Sequence, residues 1–284
     1  TFYLLPFSSA NINNGALTTS AGIIFNPTED WRIRAMTSTG FRAPNVDDVG
    51  KVFDSEPGSV VVPNPRLKAE YAYNAELGFT RTFGDFLEID FFPFFTILHD
   101  AMVRRETTLN GQDSIPYDGM MSRVYSIQNA AFARVWGIQA DFELMITPGL
   151  EWSSKFNYQK GVEELDNGEL SPLRHAGPCY GMTQLAWTGQ KWTANLYVLF
   201  NGKVTYDNLA EEERGKPYLY AVDPNGNPWS PAWHTLNLKI RYQVNAHFRC
   251  SGGIENITNQ RYRPYSSGLA APGINVIGAL SVQF

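Results

Sequence analysis

Apolar and polar side chains alternate along most of this chain with a period of two. Trp136, Ile138, Ala140, Phe142, Leu144 and Ile146 interleave with Gly137, Gln139, Asp141, Glu143 and Met145. Leu236, Leu238, Ile240 and Tyr242 interleave with Thr235, Asn237, Lys239, Arg241 and Gln243. Trp192, Ala194, Leu196, Val198 and Phe200 share one side of another segment, and Leu87, Ile89, Phe91, Phe95 and Ile97 oppose Glu88, Asp90 and Thr96. Successive side chains of a strand point to opposite faces, so each segment predicts a strand with one hydrocarbon face and one polar face. Strands are expected near 16–26, 31–40, 70–83, 85–99, 133–147, 149–161, 176–188, 191–203, 232–243, 247–256 and 274–284. Helical periodicity is almost absent.

The connections carry a second pattern. Short turns fall at 27–30, 84–85, 147–149, 189–191 and 244–246, and between them lie long stretches at 41–69, 100–132, 162–175, 204–231 and 257–273. Soluble domains seldom carry many long loops. Outer-membrane barrels place short turns on the periplasmic side and long loops outside. The expected fold is therefore all-β: an antiparallel transmembrane β-barrel of about eleven strands. Glu88, Asp90, Asp141, Glu143, Lys239 and Arg241 would then line a wetted interior. Aromatic residues near strand ends (Trp31, Phe83, Trp152, Trp187, Trp192, Trp233 and Tyr242) suit a membrane-interface girdle, with ordinary cross-strand packing as the alternative. The first and last strands both run inward, and an antiparallel ring closes only on an even number. These strands are expected to form the C-terminal part of a larger barrel, with residues 1–15 in an outside loop.

Composition narrows the partners. No apolar run approaches the ~20 residues of a membrane helix; the longest, Phe91 to Leu98, holds Pro93. A net charge of −5 offers no basic stripe for nucleic acid. Cys179 and Cys250 make no disulfide framework and are expected to be buried thiols. The opening TFYLLPFSSANINN has none of the features of a signal peptide. Nucleophile-elbow, Walker, dinucleotide and zinc-protease motifs are all missing, so no catalytic residue, and no enzyme, is expected.

His175 and Cys179 are a poor metal pair at a loop-to-strand junction, and no metal site or resident cofactor is expected. Glu163, Glu164, Asp166 and Glu169 suit a solvated outside loop better than a calcium site. Asp223-Pro224-Asn225-Gly226-Asn227 suits a plain turn. Glu211-Glu212-Glu213-Arg214 suits solvated loop charge.

Residues 39–79 contain Phe41-Arg42-Ala43-Pro44 and then Asn64-Pro65-Arg66-Leu67-Lys68-Ala69-Glu70. These resemble the FRAP and NP-x-L-K-x-E boxes of TonB-dependent outer-membrane receptors, particularly their Bacteroidetes-type, haem- and iron-receptor-like branch. Ala69 stands where that family usually has Pro. The close, IENITNQRYRPYSSGLAAPGINVIGALSVQF, resembles the family's G-x-E-N-L-x-D-x-x-Y segment and terminal strand ending in Phe.

The resemblance implies half of a 22-stranded barrel across 1–284, with neither plug domain nor TonB box in these residues. It also implies TonB-dependent uptake of a scarce nutrient in the bacterial outer membrane, with an iron siderophore or haem as transported cargo. The TonB–ExbB–ExbD system, the lipid bilayer and the outer-membrane assembly machinery would be partners, the last reading Phe284. Ligand contacts are expected at the boxes and outside loops, at Phe41, Arg42, Asp47, Asp48 and Asn64; bracing of the loop is the alternative for Arg42, Asp47 and Asp48. Between Phe41 and Leu67 there is neither His nor Tyr, which counts against haem ligation there. A passive porin-like channel and a soluble all-β binding protein are the rival readings.

Overall fold

The computed structural model describes residues 3–9, 15–53, 57–129, 132–165, 168–174 and 176–283. Its elements in chain order are β1 (Ser20–Thr28), β2 (Trp31–Arg42), α1 (Val46–Gly50), β3 (Ser59–Val62), β4 (Glu70–Phe83), β5 (Leu87–His99), β6 (Met102–Glu106), β7 (Ser114–Tyr117) and β8 (Met120–Asn129). There follow β9 (Phe132–Thr147), β10 (Leu150–Glu164), β11 (Leu170–Pro172), β12 (Tyr180–Thr188), β13 (Trp192–Asn201), α2 (Glu211–Arg214), β14 (Ala221–Val222), β15 (Pro228–Trp229), β16 (Trp233–Gln243), β17 (Phe248–Glu255) and β18 (Asn275–Val282).

One large antiparallel sheet dominates, in the order β1-β2-β4-β5-β9-β10-β12-β13-β16-β17-β18, with β11 added beside β10. Each strand predicted from alternation is present. Register shows that the alternation is shared across strands. Ile33, Phe79, Phe91, Ala140 and Phe156 are successive partners on one face. Arg32, Thr80, Asp90, Asp141 and Lys155 are partners one residue earlier or later, on the other face.

Among the described residues, nothing packs over the apolar face. Ile23 is 73% exposed, Val276 75% and Leu280 65%. In water such a surface would be a large exposed apolar patch, far beyond what a soluble monomer carries. In a bilayer it is the lipid contact. On β9 the apolar run from Trp136 to Ile146 covers ten steps. At about 3.3 Å per step and about 40° of tilt this gives a height of about 25 Å, matching the apolar band of an outer-membrane barrel.

Aromatic pairs mark the short-turn end, with Phe142 and Trp152 at 5.1 Å and Trp192 and Tyr242 at 4.3 Å between ring centroids. Trp233 departs from the girdle expectation. It partners Asn201 at the opposite end, on the polar face, and stacks on Tyr262 at 4.2 Å. Cys250 also departs from expectation: as the partner of Tyr242 it lies exposed on the apolar face.

The hydrophobic core sits outside the membrane wall. The long stretches 41–69 and 100–132, expected as loops, supply a second sheet in which β8 pairs with β3 in parallel and with β6 and β7 antiparallel. Val60, Val62, Leu109, Ile115 and Val124 are buried between these strands, with Tyr3, Leu5, Val52 and Tyr117 packed against them. Asp118 (φ 46°) and Gly119 (φ 81°) form the tight two-residue turn between β7 and β8. Left-handed dihedrals at both positions match the twist of the flanking strands. β3, β6 and β7 have only four or five residues, and the longer β8 buries Ser122 and Ser126 beside Val124, so little apolar alternation marks them in the sequence.

Candidate functional site

The long-loop end of the wall is the candidate cargo-facing mouth, and it is built from two braced regions. In the first, the two sequence boxes are tied to each other. Arg42 ends β2 and Glu70 begins β4, and the two are partners in register. Arg42 Nη1 lies 3.8 Å from Glu70 Oε1, and Arg42 Nη2 lies 3.5 Å from Asp48 Oδ2.

Asp48 also closes a capping box on α1: Asn45 N–H donates to Asp48 Oδ2 and Asp48 N–H donates to Asn45 Oδ1, both at 2.9 Å. These bonds satisfy helix-end donors that would otherwise be unpaired. Asn64 Nδ2 donates to the Ile127 carbonyl at 2.8 Å, which pins the second box to β8. Glu70 Oε2 accepts from the Met102 N–H at 2.8 Å. Asn129 Nδ2 donates to the carbonyls of Lys68 and Asp100.

Of the residues expected to touch ligand, Arg42, Asp48 and Asn64 therefore hold the mouth together, while Asp47 is exposed beside them. Phe41 pairs with Tyr71 on the apolar face, their ring centroids 6.4 Å apart, so it faces outward from the interior. Phe284 and His175 lie outside the described residues, as does Asp166.

The second region corrects the reading of Glu211–Arg214 as solvated charge. Glu213 is fully buried. Its Oε1 lies 2.8 Å from Arg174 Nε and 3.3 Å from Lys216 Nζ, and Tyr220 donates its hydroxyl to Oε2. Arg174 also donates to Ser266 Oγ at 3.0 Å and pairs with Glu212 at 3.2 Å. One buried carboxylate and one guanidinium thus join the loops that follow β11, β13 and β17.

Burial and the Glu213 charge raise the Tyr220 hydroxyl well above its ordinary value, and burial with the same carboxylate pushes Tyr265 up to about 12. Glu212 is held below its ordinary value: burial opposes this, but the hydrogen bond from Lys216 and the charge of Arg174 outweigh it. Arg263 adds a bond to the Leu219 carbonyl at 2.9 Å. Asn256, in a left-handed conformation and buried, fixes the exit from β17: its N–H donates to Asn237 Oδ1 and its Oδ1 accepts from Gln260 N–H, each at 2.9 Å. Its place in the family-like segment was visible in sequence; its role was not. Nothing in the sequence separates Glu213 from the flanking acids.

Below the mouth, the polar face carries paired carboxylates. Glu88 is opposite Glu143 and Asp90 opposite Asp141. Directly facing like charges are unfavourable, and only part of the charge is met within the wall. Lys155 lies 3.7 Å from Asp141, and Thr80 donates to Asp90. Further along the wall Lys239 pairs with Glu255 at 3.5 Å. The turn at 223–227 is a closed loop, with Asp223 Oδ1 accepting from the N–H groups of Asn225 and Asn227. Glu163 and Glu164 pair with β11 instead of lying in a loop. No group of three His, Cys, Asp or Glu side chains suited to a metal ion occurs among the described residues.

Known proteins give the same picture. Haemoglobin-haptoglobin utilization protein B of Neisseria meningitidis is 24% identical over 285 residues, covering 89% of this chain and 33% of that protein. A probable haemoglobin and haemoglobin-haptoglobin-binding protein of Haemophilus influenzae is 26% identical, covering 87% of this chain and 25% of that protein. The chain thus spans a quarter to a third of these relatives' length. The ferric enterobactin receptor of Pseudomonas aeruginosa superposes with a TM-score of 0.71 at 18% identity, covering 94% of this chain and 40% of that structure, which shows the shared fold. The sequence profile of the TonB dependent receptor-like beta-barrel matches residues 3–257. With its wall of two-faced strands and its folded mouth, the chain belongs to the TonB-dependent receptor-like β-barrel family of the outer membrane.

Proposed function

We propose that the receptor containing this chain takes up iron, as haem or as a ferric siderophore, across the outer membrane. The observation that carries the reading is the match to haemoglobin and haemoglobin-haptoglobin receptors along almost the whole chain, mouth and wall together. Folded, braced mouth regions suit capture of a scarce solute, because a preorganised site loses less entropy when it binds. A passive channel has no need of them.

In this reading the mouth makes the first contact, the inner wall admits the cargo, and the TonB–ExbB–ExbD system supplies the energy through parts of the protein beyond this chain. The chain itself performs no covalent chemistry. Arg42, Asp48 and Asn64 act on cargo through the loops they hold, and Asp47 presents its carboxylate at the rim. A haem held here takes no axial ligand from residues 41–67, which contain neither His nor Tyr. Iron-limited growth tests the reading. A strain lacking the gene should fail on haem, haemoglobin or one ferric siderophore as sole iron source and recover when the gene is restored. Equal growth of deleted and restored strains on all three would reject iron uptake.

A further inference from the structure

Near the short turns the inner face of the wall is divided by charge. Glu88 and Asp90 of β5 face Glu143 and Asp141 of β9. Farther round the sheet, on the same face, stand Lys239 and Arg241 of β16 and Arg249 of β17. Lys239 is opposite Gly253 and Arg241 opposite Ser251, while Arg249 is opposite Gln243, one same-face step nearer the turn. The three cations thus converge from adjacent strands, and all are exposed.

They line a cavity of about 400 Å³. Gly253 forms its floor, where a Cβ would come within 3.2 Å of Lys239 Cγ. Ser251 and Asn195 add neutral hydrogen-bonding groups. Every charged lining residue among those described is a cation.

Two of the cations are held at the rim. Gln243 Oε1 accepts from Arg249 Nε at 2.8 Å. Lys239 Nζ lies 3.5 Å from Glu255 Oε1 and 5.5 Å from the centre of the Tyr197 ring. A planar guanidinium fork matches the two oxygens of a carboxylate. Solvent screens charges this exposed, so each contact is weak. Weak contacts suit a solute that must enter a passage and then leave it. An anion moving along the inner wall is repelled by the strip on β5 and β9 and drawn to β16 and β17.

We infer that Lys239, Arg241 and Arg249 form a transit site on the inner wall for the paired carboxylates of haem. Its role rests on the iron uptake proposed above, and it fixes the side of the wall along which the cargo passes. The propionates meet the cations, and the Tyr197 ring beside Lys239 offers the porphyrin an apolar neighbour.

Uptake of iron-labelled haem, haem dimethyl ester and ferric citrate by cells expressing the complete receptor tests this, each corrected for cells without the receptor. Esterification removes the propionate charges and leaves the ring and the iron. Wild-type receptor should accumulate haem at least about fivefold faster than the ester. Arg241→Gln/Arg249→Gln should bring haem down to the rate of the ester, with a much smaller effect on the ester itself. The charge-preserving Arg241→Lys/Arg249→Lys variant should keep most of the haem uptake, which guards against a fold defect in the first. Equal uptake of haem and ester by the wild type, or undiminished haem uptake in the Gln variant, would overturn the site. An equal fall for haem and ester would also overturn it, since the cations would then hold an acidic segment of the receptor itself. So would a loss confined to ferric citrate, which carries carboxylates without a ring. Wild-type cells that take up no haem but grow on a ferric siderophore would overturn the site and leave iron uptake standing. Failure on every iron source would reject iron uptake itself, and the site with it.

Discussion

Arg42 of the first sequence box and Glu70 of the second face each other across β2 and β4 with 3.8 Å between Nη1 and Oε1. Twenty-seven residues of chain separate them, and the intervening segment carries α1 and β3 into the mouth sheet. Arg42 is half exposed, so solvent screens the pair, and such contacts contribute about 0–1 kcal/mol. Glu70 additionally accepts the Met102 N–H, worth about a further 1 kcal/mol. Glu70→Ala should therefore lower the unfolding temperature of the receptor more than Arg42→Ala does. A larger effect for Arg42→Ala would show that the pair, and not the bond to β6, carries the connection.

Glu213 is the corresponding joint on the other side of the mouth. Removing the buried carboxylate leaves Arg174 and Lys216 to the more exposed Glu212, at a cost of up to about 3–5 kcal/mol. Glu213→Ala should speed amide hydrogen exchange in three separate stretches, around residues 171–174, 206–220 and 263–267. Exchange that rises only near residue 213 would mean that the loops are held independently.

The same cluster has a pH signature. Glu212 has its folded-state pKa lowered from 4.5, so its contribution is present above that value and is lost as pH falls through the lower folded pKa. Lys216 has its pKa raised from 10.5, since the Glu212 and Glu213 carboxylates outweigh its burial. Its contribution is present below 10.5 and is lost as pH rises through the higher folded pKa. Exchange protection of the 206–220 loop should be flat across the neutral range and decline below about pH 4.5 and above about pH 10.5. Declining protection between pH 6 and 8 would contradict these assignments.

Gly78 is needed for a close approach on the inner wall. A Cβ there would come within 2.8 Å of the Phe92 ring, which lies over Gly78 with the Arg34 guanidinium 4.7 Å from its centre. Gly78→Val should cost about 1–3 kcal/mol through overpacking. Adding Phe92→Ala should restore part of it, as measured by thermal unfolding. If Phe92→Ala brings no rescue, the clash lies elsewhere.

The two faces of the wall should respond in opposite ways to charge. Leu196 lies mid-strand on the apolar face of β13 and Asn195 on the polar face. Leu196→Arg should destabilise by about 2–4 kcal/mol, as a cation does near the bilayer midplane, while Asn195→Arg should have a small effect. Similar losses at the two positions would contradict the face assignment.

The wall was legible because its chemistry repeats. Strands that meet lipid on one side and water on the other must alternate, so residues such as Trp136 to Ile146 announce both element and face. Short turns beside long loops were equally plain. The mouth was not legible, for three physical reasons. β3, β6 and β7 are short and β8 buries serines beside Val124, so packing against residues distant in sequence defines them without apolar periodicity. Glu213 is one of three consecutive acids, and only the fold decides which of them is buried. The boxes were recognisable as a unit, but the bracing by Asn64 and Glu70 was not, because their partners come from β8 and β6, remote in sequence.

Accumulation of iron-labelled haem by cells expressing the complete receptor, compared with and without TonB, tests the central claim most directly. Energy-coupled uptake predicts that surface-bound label is unchanged when TonB is lost, while internal accumulation falls to the level of cells without the receptor. Accumulation that continues undiminished without TonB would contradict it and would make the protein a passive channel.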